Sequence, residues 1–261
     1  MDNINKTLYI PLYGKAFVSR KGLFLKDKKA EEIWAKQQFP LKGKSKSKWL
    51  AYYMGIRAAV FDNWLRQKMQ EFPDAVILHI GCGMDSRVLR VGTQTHLWYD
   101  VDFENVIKER AAYYTQTDDY QMLAGDVRNA EFLRNIPQQK NAVVVMEGVS
   151  MYLTNGELQA FINALSERFL HVALLLDCYT PLAAKLSKRG NPVKDVGVQL
   201  VYGVDKPSLL NSGRVTFLQE LDMSPKIFIN ELHGIEKFIF KTLYAGNLSK
   251  KLYKLFEYET I

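Results

Sequence analysis

Cysteine is scarce in this 261-residue sequence, which has only Cys82 and Cys178. Two thiols cannot build a disulfide framework or a cysteine-rich zinc site, so both are expected as reduced cysteines beside core strands. No uninterrupted apolar run reaches the roughly 18 residues of a membrane-spanning helix, so no membrane partner is expected. The polar start Met1-Asp2-Asn3 lacks the apolar stretch of a secretory signal and points to the cytoplasm. Histidine is rare too. His79, His96, His171 and His233 fall in or beside packed segments, where satisfied core or surface roles are expected, and no metal site is anticipated.

Apolar residues, by contrast, make up 48% of the chain and aromatics 12%, enough for the core of one large α/β domain. The net charge of +7 is unevenly spread. Residues 1–50 hold twelve Lys/Arg against four Asp/Glu, while the other 211 carry 23 basic and 24 acidic side chains. The excess includes the run Lys42-Gly43-Lys44-Ser45-Lys46-Ser47-Lys48. That run has no interleaved aromatics and matches no nucleic-acid module, so nucleic acid is not the expected partner. A solvated loop, or a basic rim that attracts an anionic small molecule, is the preferred reading.

From residue 74 onward, short apolar runs alternate with amphipathic stretches, the pattern of a parallel sheet wrapped by helices. Ala75–Ile80, Leu97–Val101, Tyr120–Ala124, Ala142–Met146 and Val172–Asp177 read as five strands of a doubly wound sheet. Asn155 opens a helical stretch with Leu158, Phe161, Ile162, Leu165 and Phe169 on one face. Val215–Leu218 and Leu252–Tyr258 read as a final hairpin-like strand pair. Between them Ser224-Pro225 reads as an N-cap and first helical residue, followed by a face of Phe228, Leu232, Ile235, Ile239 and Leu243 that ends at Gly246. Two helices are predicted ahead of the sheet, a short one over 30–38 and a long one over 48–71 that Phe72-Pro73 stops. The division expected is an N-terminal helical cap over 1–73, a binding core over 74–178, a substrate lid over 179–213 and a C-terminal unit over 214–261.

Ligands of open α/β sheets bind at the carboxyl ends of strands, and three such ends stand out. Gly81-Cys82-Gly83-Met84-Asp85-Ser86-Arg87 follows the first strand, with glycines that permit a sharp turn and close backbone approach. A dinucleotide fingerprint needs a third glycine where Ser86 stands, and Asp85 puts negative charge where a pyrophosphate would sit. Both disfavour NAD and FAD. Asp102, in Tyr99-Asp100-Val101-Asp102 at the end of strand two, can accept hydrogen bonds from two ribose hydroxyls; the competing reading is a cap for a helix starting at Phe103. Asp126, in Gly125-Asp126-Val127-Arg128, can hold an adenine edge. Strand four ends in Glu147, a carboxylate that is costly there unless it is paired or faces a polar cleft.

Taken in order and spacing, Gly-Cys-Gly-Met-Asp-Ser-Arg, Tyr-Asp-Val-Asp-Phe followed by Lys108, Gly-Asp-Val-Arg and Glu-Gly-Val-Ser-Met-Tyr-Leu resemble the leucine carboxyl methyltransferase family. The opening Tyr9–Ala16 and Phe24–Asp27 are similar to its bacterial branch of polyketide-type O-methyltransferases. The resemblance covers roughly residues 9–205. It implies a Rossmann-like class I methyltransferase sheet of seven strands with the last one antiparallel, and S-adenosylmethionine as the methyl donor, leaving as S-adenosylhomocysteine. It implies cofactor contacts at Gly81, Asp102, Asp126, Val127 and Glu147, with Cys82, Gly83 and Phe103 in the same turns. Arg57, with Asp62 five residues on, matches the family's arginine ahead of the sheet, and Lys15 matches a cofactor-contacting lysine. Two departures bear on local geometry. Lys26-Asp27-Lys28 lacks the usual proline after the aspartate, and Val127 stands for a leucine.

A planar guanidinium at Arg57 suits bidentate binding of a carboxylate, from cofactor or acceptor. Methyl transfer from a sulfonium is an in-line displacement governed by positioning. A carboxylate acceptor is already ionised at pH 7 and needs no base, so a small anionic acceptor oriented by Tyr152 and Arg57 is the reaction expected. The alternatives are a hydroxyl-directed methyltransferase and a non-catalytic protein that binds the adenosine ligand.

Overall fold

The protein is described by a computed structural model covering residues 5–37, 39–187 and 200–261. Three helices lead: α1 Tyr9–Arg20, α2 Lys28–Gln37 and α3 Lys48–Glu71. The alternating part follows as β1 Val76–Ile80, α4 Arg87–Val91, β2 Trp98–Asp102, α5 Glu104–Arg110, β3 Tyr120–Ala124, β4 Asn141–Met146, α6 Asn155–Arg168 and β5 His171–Tyr179. After α7 Pro181–Ser187 come β6 Val215–Leu221, α8 Lys226–Ile229, α9 Gly234–Ile239, a π-helical turn Phe240–Tyr244, α10 Asn247–Lys250 and β7 Tyr253–Thr260.

The strands form one seven-stranded sheet in the order β3-β2-β1-β4-β5-β7-β6. The first five run parallel, and β7 runs antiparallel between β5 and β6. Order reverses between β1 and β4, which places a crevice above their carboxyl ends. Because strand side chains alternate, each central strand feeds two cores. Ile77, Val143, Val145 and Leu175 pack with Tyr52, Ile56, Trp64 and the other apolar residues of α1–α3. Val76, Leu78, Val144 and Leu174 pack with Leu158, Phe161, Ile162 and Leu165 of α6. The N-terminal cap is therefore one covering layer of the sheet. Thr154 and Glu157 close a reciprocal capping box that starts α6.

Helix α1 was not anticipated from the sequence. Pro11 sits in its first turn, where the missing N–H has no intrahelical partner in any case. Its buried Tyr9, Ile10, Leu12, Ala16 and Val18 do not keep to one stripe, because α1 is packed against both α2 and α3. The single helix predicted after Pro225 is instead broken. Pro225 is a cap, not the first helical residue, and the chain leaves the helix after Ile229 and restarts at Gly234. Gly234 has φ +53, a conformation that interrupts a right-handed helix. Phe228 and Leu232 are buried as expected, whereas Ile235 and Leu243 are exposed. Gln38, at the end of the first predicted helix, and 188–199 of the predicted lid lie outside the described residues. The rest of that predicted segment contains α7 and a 3-10 turn, Pro207–Leu210.

Candidate active site

The turn after β1 carries the site. Gly81 has φ +65, and a Cβ there would stand 2.1 Å from Val149 Cγ2, so only glycine fits between this turn and the one after β4. Asp102 holds the turn from β2: its Oδ2 accepts from Gly83 N at 2.8 Å and its Oδ1 from Phe103 N at 2.8 Å. A carboxylate has about four acceptor positions, so both oxygens keep capacity for ligand hydroxyls. Burial raises the Asp102 pKa, against the two backbone N–H groups and Arg110. Asp100 is committed elsewhere. It accepts from Arg110, from Tyr120 Oη at 2.8 Å and from Trp98 Nε1 at 2.9 Å. From this anchor Arg110 Nη1 donates to Gly83 O at 2.9 Å, while Tyr114 Oη donates to Met84 O at 3.0 Å.

Lys15, Arg57, Arg87 and Arg90 interlock with Asp27, Asp62, Asp85, Glu147 and Asp177. Glu147 lies 3.0 Å from Arg57 Nε and 3.6 Å from Lys15 Nζ, and Arg87 donates to its second oxygen. Burial alone would raise its pKa; Lys15, Arg57 and Arg87 outweigh burial and hold it well below the usual range. Arg57 Nη1 donates to Asp177 at 2.9 Å and to Tyr253 Oη at 2.8 Å. Asp177 also accepts from Tyr253 Oη at 2.6 Å and Gly148 N at 2.7 Å, and its pKa is raised by burial despite Arg57. Asp62, which the sequence set beside Arg57, binds Arg87 and Arg90 instead, at 2.9 and 2.6 Å.

Four cations thus face five carboxylates. The charge at Asp85 corrects the sequence reading: Lys15 and Arg90 each stand 2.7 Å away, so it presents no bare negative charge. Counted with every group ionised, the cluster carries one net negative charge and offers a phosphate no surplus of cations. The proline missing after Asp27 also has a structural answer. Asp27 Oδ1 accepts from Ala30 N at 2.8 Å as a cap for α2, and Lys28 occupies the first helical position, where proline and other residues are interchangeable.

A cavity of about 560 Å³ opens above these strand ends. It brings together Lys15, Arg57, Gly81, Cys82, Gly83, Asp102, Phe103, Glu147 and Tyr152. Asp126 and Val127 do not line it. Asp126 is gripped by Arg128, whose guanidinium lies 5.9 Å from the Phe103 ring at the cavity edge, and Val127 packs on the α6 side of the sheet. His79 also lines the cavity and is locked. Arg87 Nη1 donates to Nε2 and Nδ1 faces Asp100, each at 2.9 Å; burial, then Arg87, lowers its pKa, so the ring is neutral at pH 7. The remaining wall is apolar and aromatic, with Leu50, Tyr53, Met54, Met151 and Tyr179. Among the described residues no cluster suited to a metal occurs. Sequence reasoning missed Arg110, Tyr114, Arg90 and Tyr253, none of which belongs to a motif at a strand end.

The leucine carboxyl methyltransferase family model matches residues 3–166. The chain is 26% identical over 243 residues to the tetracenomycin polyketide synthesis O-methyltransferase TcmP of Streptomyces glaucescens, covering 92% of this chain and 90% of that protein. It is 27% identical over 184 residues to the S-adenosyl-L-methionine-dependent methyltransferase dpfgK of Gibberella zeae, covering 65% and 62%. The fold is similar to that of the magnesium protoporphyrin IX methyltransferase from Synechocystis, with a TM-score of 0.51, 10% identity and coverage of 90% and 94%. The chain belongs to the leucine carboxyl methyltransferase family and is an S-adenosylmethionine-dependent methyltransferase.

Proposed function

We propose that the enzyme methylates a carboxylate oxygen of a small, largely apolar acceptor. The observation that carries this is that the histidine and the strand-four carboxylate lining the cavity, the groups suited to act as a base, are already committed. His79 is neutral with both nitrogens engaged, Glu147 is paired with three cations, and burial pushes the Tyr152 hydroxyl above its ordinary value. A hydroxyl acceptor would require a base to take its proton, whereas a carboxylate is ionised at pH 7 and needs none.

The charge of the site fits the donor. S-adenosylmethionine pairs a sulfonium with an amino-acid zwitterion, one net positive charge, against the net negative charge of the buried cluster. When bound, it supplies a methyl group on a positively charged sulfur. In this reading Asp102 accepts from the ribose hydroxyls, and Glu147 faces the cationic end. Asp126 serves the adenine edge if Arg128 yields its grip. Lys15 and Arg57 are the cations that line the cavity, and Arg57 has Nε and Nη1 fixed by Glu147, Asp177 and Tyr253. Its remaining nitrogen, Nη2, is the one available to a carboxylate. Tyr152 stands on the same wall to orient the acceptor, and the apolar lining excludes water.

The test is incubation with methyl-labelled donor and matched pairs of carboxylic acids and phenols of the same ring size. Label released as methanol by mild alkali supports esterification. Label that survives alkali in ether linkage, or appears only on amines, overturns it.

A further inference from the structure

The mouth of the cavity is bordered by the chain after β6. Leu243 and Tyr244 of the π turn line it together with Leu50 of α3 and Leu186 of α7. Outward from this rim the same segment is apolar where water meets it: Ile235 is 74% exposed, Phe238 70% and Leu243 64%. Ile235 and Phe238 are three residues apart on α9 and share a face. Phe240, by contrast, is fully buried against α3 and anchors the segment.

Lysines are set among these side chains. Lys237 and Lys241 flank Phe238 and have no ion-pair partner among the described residues. The end of the basic run of the N-terminal fifth is brought to the same place. Lys48 Nζ reaches Glu236 of α9 at 2.8 Å, and Trp49 stacks on Tyr244 with ring centroids 5.7 Å apart. The turn Gly43–Lys46 precedes α3 and leaves Lys42, Lys44 and Lys46 exposed. The acidic group in this face is Glu236, already held by Lys48 and by Tyr52 Oη at 2.6 Å. Lys48, which ends the lysine run that the catalytic site does not use, therefore lies beside large exposed apolar residues at the cavity mouth.

Exposed Ile, Phe and Leu interleaved with lysines on a short helical segment are what an anionic lipid surface binds. The apolar groups enter the headgroup–acyl boundary and the lysines meet the phosphates. We propose that α9, the π turn and the 42–48 loop form a peripheral docking face for anionic membrane, which turns the cavity mouth towards the bilayer. The absence of a spanning helix does not bear on such a surface contact. The consequence for the reaction is an acceptor delivered from the lipid phase, in keeping with the apolar cavity wall; docking itself does not depend on the acceptor assignment.

The test is flotation of the full chain with vesicles of phosphatidylcholine alone and with one third phosphatidylglycerol. Binding is expected to the anionic vesicles and to weaken with salt. It should fall about fivefold for each of Lys237 and Lys241 changed to glutamine. Phe238→Glu should abolish it while thermal melting and S-adenosylhomocysteine binding stay unchanged, since Phe238 touches neither core nor site. No binding to anionic vesicles overturns the proposal. So does a dimer in solution that Phe238→Glu dissociates, which would make the face a self-interface. Retention by polyglutamate beads without vesicle binding overturns it as well, in favour of an acidic protein partner.

Discussion

Replacing Arg57 by methionine keeps an unbranched apolar stem and removes three buried hydrogen bonds, to Glu147, Asp177 and Tyr253. Breaking a buried ion pair from one side costs about 3–5 kcal/mol. The lower figure applies here, because Glu147 keeps Lys15 and Arg87, and Asp177 keeps Tyr253 and Gly148. About 3 kcal/mol corresponds to a fall in melting temperature of about 6–12 °C for a domain of this size. Proton uptake modifies the loss. Asp177 already has its pKa raised by burial, with Arg57 the chief opposing influence, so the variant raises it further. An acid with a raised folded pKa contributes stability below its unfolded value of about 3.9 and loses that contribution as pH rises through the folded value. The gap between native and variant should therefore widen as pH rises over the range above the unfolded value of about 3.9. Differential scanning calorimetry across that range checks it, with Asp177→Asn in both backgrounds to give the coupling, expected at about 0.5–3 kcal/mol. A melting temperature within about 2 °C of native, or a gap independent of pH, refutes the reasoning.

Gly81→Ala should destabilise the protein by at least about 1–2 kcal/mol from its left-handed backbone alone, with the Val149 clash in addition, and should abolish donor binding; a chemical melt and a binding titration check both. Thr154→Ala removes one half of the α6 capping box and should cost about 1 kcal/mol with kcat unchanged, since α6 packs on the far face of the sheet. The raised pKa of Asp102 sets the acid limit of donor binding. Affinity should be full above that value and fall as pH drops through it, beginning above the ordinary carboxylate value of about 3.9, and titrations between pH 7 and pH 4 that show a flat affinity would exclude Asp102 as the ribose acceptor.

Strands β1, β4 and β5 were legible because each is a short, largely apolar run buried on both faces, whereas the half-buried β3 gave a weaker signal. Gly81, Asp102 and Glu147 were legible because a turn glycine and two acids at strand ends have few structural explanations. Helix α1 was hidden by Pro11 and by burial on two sides, which erases a single stripe. The break at Gly234 was hidden because the residues after it keep helical spacing although their environment has changed from core to water. Most of what positions the site was invisible. Arg110 and Tyr114 are 27 and 30 residues from the carbonyls they hold, and Asp27 is 63 from Arg90. Such contacts exist only once segments far apart in sequence have packed together, and no local pattern announces them.

The central claim is that the turn after β1, with Asp102 and Glu147, holds the adenosine and amino-acid ends of the methyl donor. Calorimetric titration of the native chain with S-adenosylhomocysteine tests it most directly. Binding in the micromolar range, about 8 kcal/mol, is predicted. Asp102→Ala should weaken it by about 10–150-fold, the value of charge-assisted hydrogen bonds lost from a buried carboxylate. No heat of binding with native protein, or an undiminished affinity in a folded Asp102→Ala variant, would contradict the account.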